Sequence, residues 1–204
     1  MGELVLLAHD ARVPLVLDAA AQDWRAAQLV AGGADLVLLS AQKYLRAPTA
    51  GLVLGRAPLV AAVDAQHAGI GRAMKPTKEA LAGVIAALDQ RESLPVAAWR
   101  LAQQRKVDAV AQAASQWPGV SVAREPDPQG NGFERLWLTL EAGAGRPDAA
   151  AVVRCLRDGD PAVAVAPHRM ERGQIGLELS GVDETELDEL CAMLLGALEP
   201  GRES

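Results

Sequence analysis

The chain has 204 residues, half of them apolar, 23% charged and only 3% aromatic, with a formal net charge of −6. That length accommodates one large domain or two small ones, and the apolar content suffices for a folded core and argues against disorder. The acidic balance lacks the clustered Lys and Arg that a phosphate backbone requires, which points away from nucleic acid as a partner. Scarce aromatics leave the core to Ala, Val and Leu, side chains that suit close packing of helices on a sheet. The two cysteines, Cys155 and Cys191, lie in helical stretches without metal-type spacing and read as buried free thiols in a reducing compartment. Acidic Glu3 stands where a signal peptide would carry basic residues, and no apolar run approaches the ~20 residues that span a bilayer, so a cytoplasmic protein is expected.

In chain order, Glu3 to Ala11 carries apolar residues at helical spacing, and VPLVLD then reads as a buried parallel strand ending in an acid, Asp18. Gln22 to Ala31 reads as a helix closed by Gly32 and Gly33, ADLVLLS as a second buried strand, and GLVLG as a shorter third. Strand, helix and strand make a right-handed crossover, whose ligands bind beyond the carboxyl ends of the strands. A helix is expected from Pro58 to Asp64, then an exposed loop GIGRAMKPTKEA, with Thr77 as N-cap of a helix running in pieces to Trp117 and kinked at Pro95. Leu81, Val84, Ile85 and Leu88 would form its apolar face. Strands VSVAR and RLWLTLE flank the loop EPDPQGNG, and a helix from Asp148 to Arg157, strands PAVAVA and QIGLELS, and a helix from Glu184 to Leu198 complete an α+β unit. The divisions expected are residues 1–75, a helical connector over 76–117, and a small domain over 118–204.

Asp18 and Lys43 fall at the ends of two neighbouring strands, on one rim of the sheet. An aspartate at a strand tip needs a cationic or hydrogen-bonding partner, and a lysine just past the next strand can reach the same pocket and act as a nucleophile. VPLVLDAAAQ, GADLVLLSAQKYLRAPTAGLVLG and GIGRAMKPTKEALAGVIAAL, in that order, resemble the fold-type I pyridoxal-phosphate (PLP) enzymes. They are most similar to the branch with selenocysteine synthase and the aminosugar-phosphate ammonia lyases, and GDPAVAV resembles that branch's small-domain strand.

The resemblance implies an α/β fold: the C-terminal part of a PLP-transferase large domain, a parallel or mixed sheet with helices, plus a small α+β C-terminal domain. It also implies pyridoxal 5'-phosphate as cofactor, with Asp18 paired to the ring nitrogen and Lys43 holding the cofactor as a Schiff base and shuttling the α-proton. Ser40, Gln42, Arg46 and Thr49 would contact the phosphate, and Gln22, Arg72, Lys75 and Arg169 are the substrate-binding candidates. Taken singly, Arg46, Arg72 and Lys75 read equally well as solvated surface groups. Ala166 stands where the family often carries a carboxylate-clamping arginine, with Arg169 only nearby. His67 and His168 fit no metal pattern, Tyr44 reads as packing, and Trp24, Trp99, Trp117 and Trp137 read as packing anchors.

The matching stretches carry the lysine half of such a site, without the glycine-rich phosphate loop, the ring-stacking residue or the earlier strands. The expectation is a split enzyme in which a second polypeptide supplies the N-terminal half, the pair being doubled by symmetry and acting on an amino-acid-derived substrate by elimination, replacement or related chemistry. A non-catalytic structural or regulatory subunit is the alternative.

Overall fold

The computed structural model describes residues 1–22, 25–141, 143 and 145–199. The chain divides at Pro95 into two units: Met1–Leu94 with Gln129–Asn131, and Pro95–Pro128 with the chain from Gly132. The expected helical connector is therefore shared out, its first helix belonging to the first unit and its second to the other.

In the first unit, helix α1 (Gly2–Asp10) precedes β1 (Val16–Asp18), helix α2 (Ala26–Ala31) and β2 (Leu36–Ser40), and β3 (Gly51–Gly55) follows. β1 and β2 are parallel, with Asp18 opposite Leu38, and β3 returns antiparallel, with Gly51 opposite Ser40. Parallel pairing of consecutive strands needs a crossover, and α2 supplies it. Because side chains alternate across a strand, Val37 and Leu39 pack with Leu17 and the α2 residue Leu29, leaving Asp18, Leu38 and Ser40 on the opposite face. The end of the sheet away from Ser40 is tied by Asp35, whose carboxylate accepts hydrogen bonds from the Leu15 amide at 2.8 Å, the Arg56 guanidinium at 3.0 Å and the His9 ring at 3.3 Å. Those donors hold the Asp35 carboxyl below the usual range, the Leu15 amide contributing most. Gly55, at φ 144°, passes so close that any Cβ would strike the Asp35 carbonyl.

Helix α3 (Ala57–Ala65) and two short 3₁₀ turns, Gln66–Ala68 and Ile70–Met74, lead to α4 (Lys78–Ser93). The Thr77 hydroxyl accepts from the Ala80 amide and caps α4, as its position before the helix predicts. The apolar stripe expected on α4 is not buried as a whole. Val84 is buried, whereas Leu81, Ile85 and Leu88 are 45%, 60% and 44% exposed, because no described residue covers that side. β1, expected to be buried, is an edge strand with Val16 49% exposed.

The second unit is antiparallel. Pro95 breaks the helix rather than bending it, and α5 (Val96–Ala114) starts immediately after it. Strands β4 (Val120–Pro126), β5 (Glu134–Leu140) and β6 (Gln174–Leu177) form an antiparallel sheet in that order, covered by α5, α6 (Ala149–Asp158) and α7 (Leu187–Ala197). Leu136, Leu138, Ile175, Val107, Val110, Val152 and Leu194 are almost fully buried together. α6 presents Ala149, Val152 and Leu156 inward at helical spacing, with the Asp148 carboxylate capping its start from the Ala151 amide at 2.7 Å. Lys106, buried on α5, spends its ammonium group on the carbonyls of Leu179 and Val182, at 2.7 and 2.9 Å. The strand expected at PAVAVA shrinks to one bridge, Ala166 with Gly176. The Val163 amide is already committed to the Leu156 carbonyl of α6, at 2.7 Å, and so is withdrawn from the sheet.

Candidate functional site

Asp18 ends β1, and its carboxylate accepts the Ala20 amide at 3.1 Å, a local turn that orients the acid just beyond the strand. Past that point the two segments stay joined: the Ala19 amide donates to the Leu38 carbonyl at 2.9 Å and the Ser40 amide to the Ala20 carbonyl at 3.2 Å. Lys43 lies in the turn that leaves β2, its amide facing the Ser40 carbonyl at 3.4 Å. The segments carrying the carboxylate and the amine therefore run side by side at the carboxyl ends of neighbouring parallel strands, where α/β sheets bind ligands. Both residues are exposed, and among the described residues neither side chain is engaged in an ion pair. Amine and carboxylate are thus open to a ligand.

Around them, half-buried Ser40 closes β2 on the same face as Asp18, and the Thr49 hydroxyl donates to the Gln42 side-chain carbonyl at 2.6 Å, bringing those two together across the loop. Arg46 takes a left-handed backbone conformation, φ 58°, and is exposed in the same loop. Gln22 is drawn elsewhere. Its side chain donates to Gln129 at 3.0 Å and accepts from Arg25, while fully buried Asn131 donates to the Ala21 carbonyl at 3.0 Å. The turn after Asp18 is thereby braced by a short segment more than a hundred residues away, which no local pattern announces. Arg72 and Lys75 are exposed at the second 3₁₀ turn and its end.

Arg169 belongs to the second unit, where it makes a two-pronged ion pair with Glu125, both contacts 2.8 Å, and stacks 3.8 Å above the Trp137 ring. Trp137 also meets His168 edge-on, and the Arg169 pairing lowers the Glu125 pKa and raises that of Arg169. Trp99 packs edge-on against Phe133 and Trp117 is buried, while Trp24 lies outside the described residues. His67 faces Asp64 on the surface, and both cysteines are half-buried free thiols, with burial pushing Cys191 up. The described residues contain no cluster suited to a metal and no helix long and apolar enough to cross a membrane.

The sheet that carries the strand-tip carboxylate and the loop lysine defines a class of fold: the chain has the fold of the fold-type I PLP-dependent enzymes. Within it, the chain is 33% identical over 201 residues to D-glucosaminate-6-phosphate ammonia lyase of Salmonella typhimurium (strain 14028s / SGSC 2262), covering 95% of this chain and 51% of that protein. A solved D-glucosaminate-6-phosphate ammonia-lyase matches with a TM-score of 0.72 and 31% identity, over 96% of this chain and 52% of that one. The chain is also 33% identical over 178 residues to 5'-C-glycyluridine monooxygenase-decarboxylase of a Streptomyces species, covering 87% of this chain and 44% of that protein. At the level of fold alone, a serine palmitoyltransferase solved with PLP matches with a TM-score of 0.55 and 16% identity, over 96% of this chain and 50% of that one. The chain spans about half the length of the curated relatives it matches. No protein-family model matches it. An acid, an amine and a loop of hydroxyl, amide and guanidinium groups form the kind of donor set that a pyridine ring with an aldehyde and a phosphate requires.

Proposed function

We propose that this chain carries the lysine-bearing half of a PLP enzyme acting on an amino-acid-derived substrate. The supporting observation is the juxtaposition of Asp18 and Lys43 on strand ends joined by the Ala19–Leu38 and Ser40–Ala20 hydrogen bonds. Bound PLP supplies an electron sink for negative charge at the substrate carbon that bears the amine. Lys43 would hold the cofactor through its amine and would move the proton to and from that carbon, and Asp18 would pair with the ring nitrogen. Ser40, Gln42, Thr49 and Arg46 would contact the phosphate, and Arg72 and Lys75 would meet an anionic group on the substrate. The names of the two curated relatives, an ammonia lyase and a monooxygenase-decarboxylase, support amine chemistry with elimination as the leading reaction type.

The exposed apolar residues of the first unit support a second element of the proposal. Leu4, Leu6 and Leu7 on α1 and Leu81, Ile85 and Leu88 on α4 leave more apolar surface in water than a free-standing unit tolerates. A second polypeptide supplying the N-terminal half of the fold covers it, the pair assembling as a symmetric oligomer.

The test is to add PLP, reduce with borohydride and map the modified peptide. The cofactor mass is expected on Lys43, lost in Lys43→Ala and weakened in Asp18→Ala. Modification spread over surface lysines, with Lys43 no more labelled than the rest, would sink the proposal.

A further inference from the structure

The loop that carries Lys43 is shaped by a helix, and one residue of that helix grips it directly. Between β2 and β3 the backbone folds on itself: the Ala41 amide donates to the Ala50 carbonyl, the Ala47 amide to the Ala41 carbonyl, both at 2.9 Å, and the Arg46 amide to the Lys43 carbonyl at 3.0 Å. Ala41 and Leu45 point inward and form a buried cluster with Val84 of α4, which Ala87 also joins. At Gly83 the contact is closer still, since a Cβ there would lie 2.5 Å from the Pro48 Cγ. Glycine is the residue least suited to a helix interior after proline, so its place in mid-helix has a packing reason. Two turns further along, half-buried Arg91 donates from Nη2 to the carbonyl of Tyr44, the residue next to Lys43.

Gly83, Val84, Ala87 and Arg91 are spaced to lie on one face of α4. This accounts for an inversion in the helix. Its small residues face inward because a loop backbone lies against them, while Leu81, Ile85 and Leu88 face out. We infer that Arg91 is a positioning residue for Lys43: α4 is the bed of the lysine loop, and the guanidinium of Arg91 fixes the peptide beside the amine. The planar, multi-donor guanidinium is suited to this because it can reach a carbonyl and hold its own orientation, which a lysine ammonium cannot do as well. The assignment rests on the reading of Lys43 as the cofactor-binding amine.

The test uses the full chain with Arg91→Ala, Arg91→Lys and Gly83→Ala, and Thr77→Ala as a control that weakens α4 without touching the loop. Amide hydrogen exchange at Arg46 and Ala47 is compared with exchange at Leu36–Leu39 of β2. Arg91→Ala is expected to speed the two loop amides by about tenfold or more while β2 stays unchanged. In parallel, the rate at which PLP is trapped on Lys43 by borohydride falls by about tenfold, with partial rescue in Arg91→Lys. Gly83→Ala reproduces the loop effect, which keeps the idea testable should Arg91→Ala not fold. Unchanged loop exchange, or acceleration spread equally through β2 and matched by Thr77→Ala, overturns the inference. A native chain that traps no PLP on Lys43 refutes the cofactor reading instead, and the exchange comparison still decides whether Arg91 holds the loop.

Discussion

The two units of this chain solve the same problem to different degrees. The second closes its core: β5 is sandwiched between helices on one face and the Trp137, His168 and Arg169 stack on the other, and its large apolar residues are almost all inside. Among the described residues, the first has two small buried clusters and leaves apolar side chains exposed on α1, α4 and the edge of β1. The first unit's sheet is mixed, with β1 at its edge, whereas the antiparallel sheet of the second unit packs under three helices. The open unit is also the one that carries Asp18 and Lys43.

The sharpest way to break this contrast is to remove one large apolar side chain from each unit. Leu136→Ala in the closed core is expected to cost about 2–5 kcal/mol in denaturant unfolding, and Ile85→Ala on the open helix less than about 0.5 kcal/mol. Equal losses would show that the open face is not open in solution. A smaller effect is expected from charge placed on that face. Leu7→Glu combined with Ile85→Glu should lower the self-association seen by sedimentation with little change in unfolding, and a native chain already monodisperse and monomeric would remove the reason for a covering partner.

The smallest effect has a definite sign. The Asp35 carboxyl of the open unit is held below the usual range by the Leu15 amide, with Arg56 and His9 assisting. Its contribution is therefore present in full above the ordinary aspartate range and drains away as pH falls through the lowered value, where the unfolded chain binds more protons. Unfolding midpoints measured from about pH 5 down to pH 2 should fall less steeply in Asp35→Asn than in the native chain. Parallel slopes would show that Asp35 does not link the sheet to pH.

Much of the first unit is legible in the residues themselves. Strand, helix and strand with an acid at one tip and a lysine beyond the other follow from apolar runs broken by glycines, and Thr77 announces its helix because a cap is a local device. The failures are all questions of what lies on the far side of a side chain. The α4 stripe has the period of a buried face, yet its burial depends on what packs against it. The PAVAVA run alternates like a strand, and the carbonyl that captures the Val163 amide comes from α6. The partner of Arg169, Glu125, lies on β4, 44 positions away, which its own neighbours in sequence do not encode.

Sequence by itself determined most of the element order, the Thr77 cap and the placing of Asp18 and Lys43 at neighbouring strand ends, because periodicity, turn chemistry and strand alternation act over a few residues. Tertiary structure alone decided which apolar faces are buried, that Asn131 braces the turn after Asp18, and that Arg91 reaches the lysine loop. Those contacts join residues 110 and 47 positions apart, and only the folded chain brings such distant groups within hydrogen-bonding range.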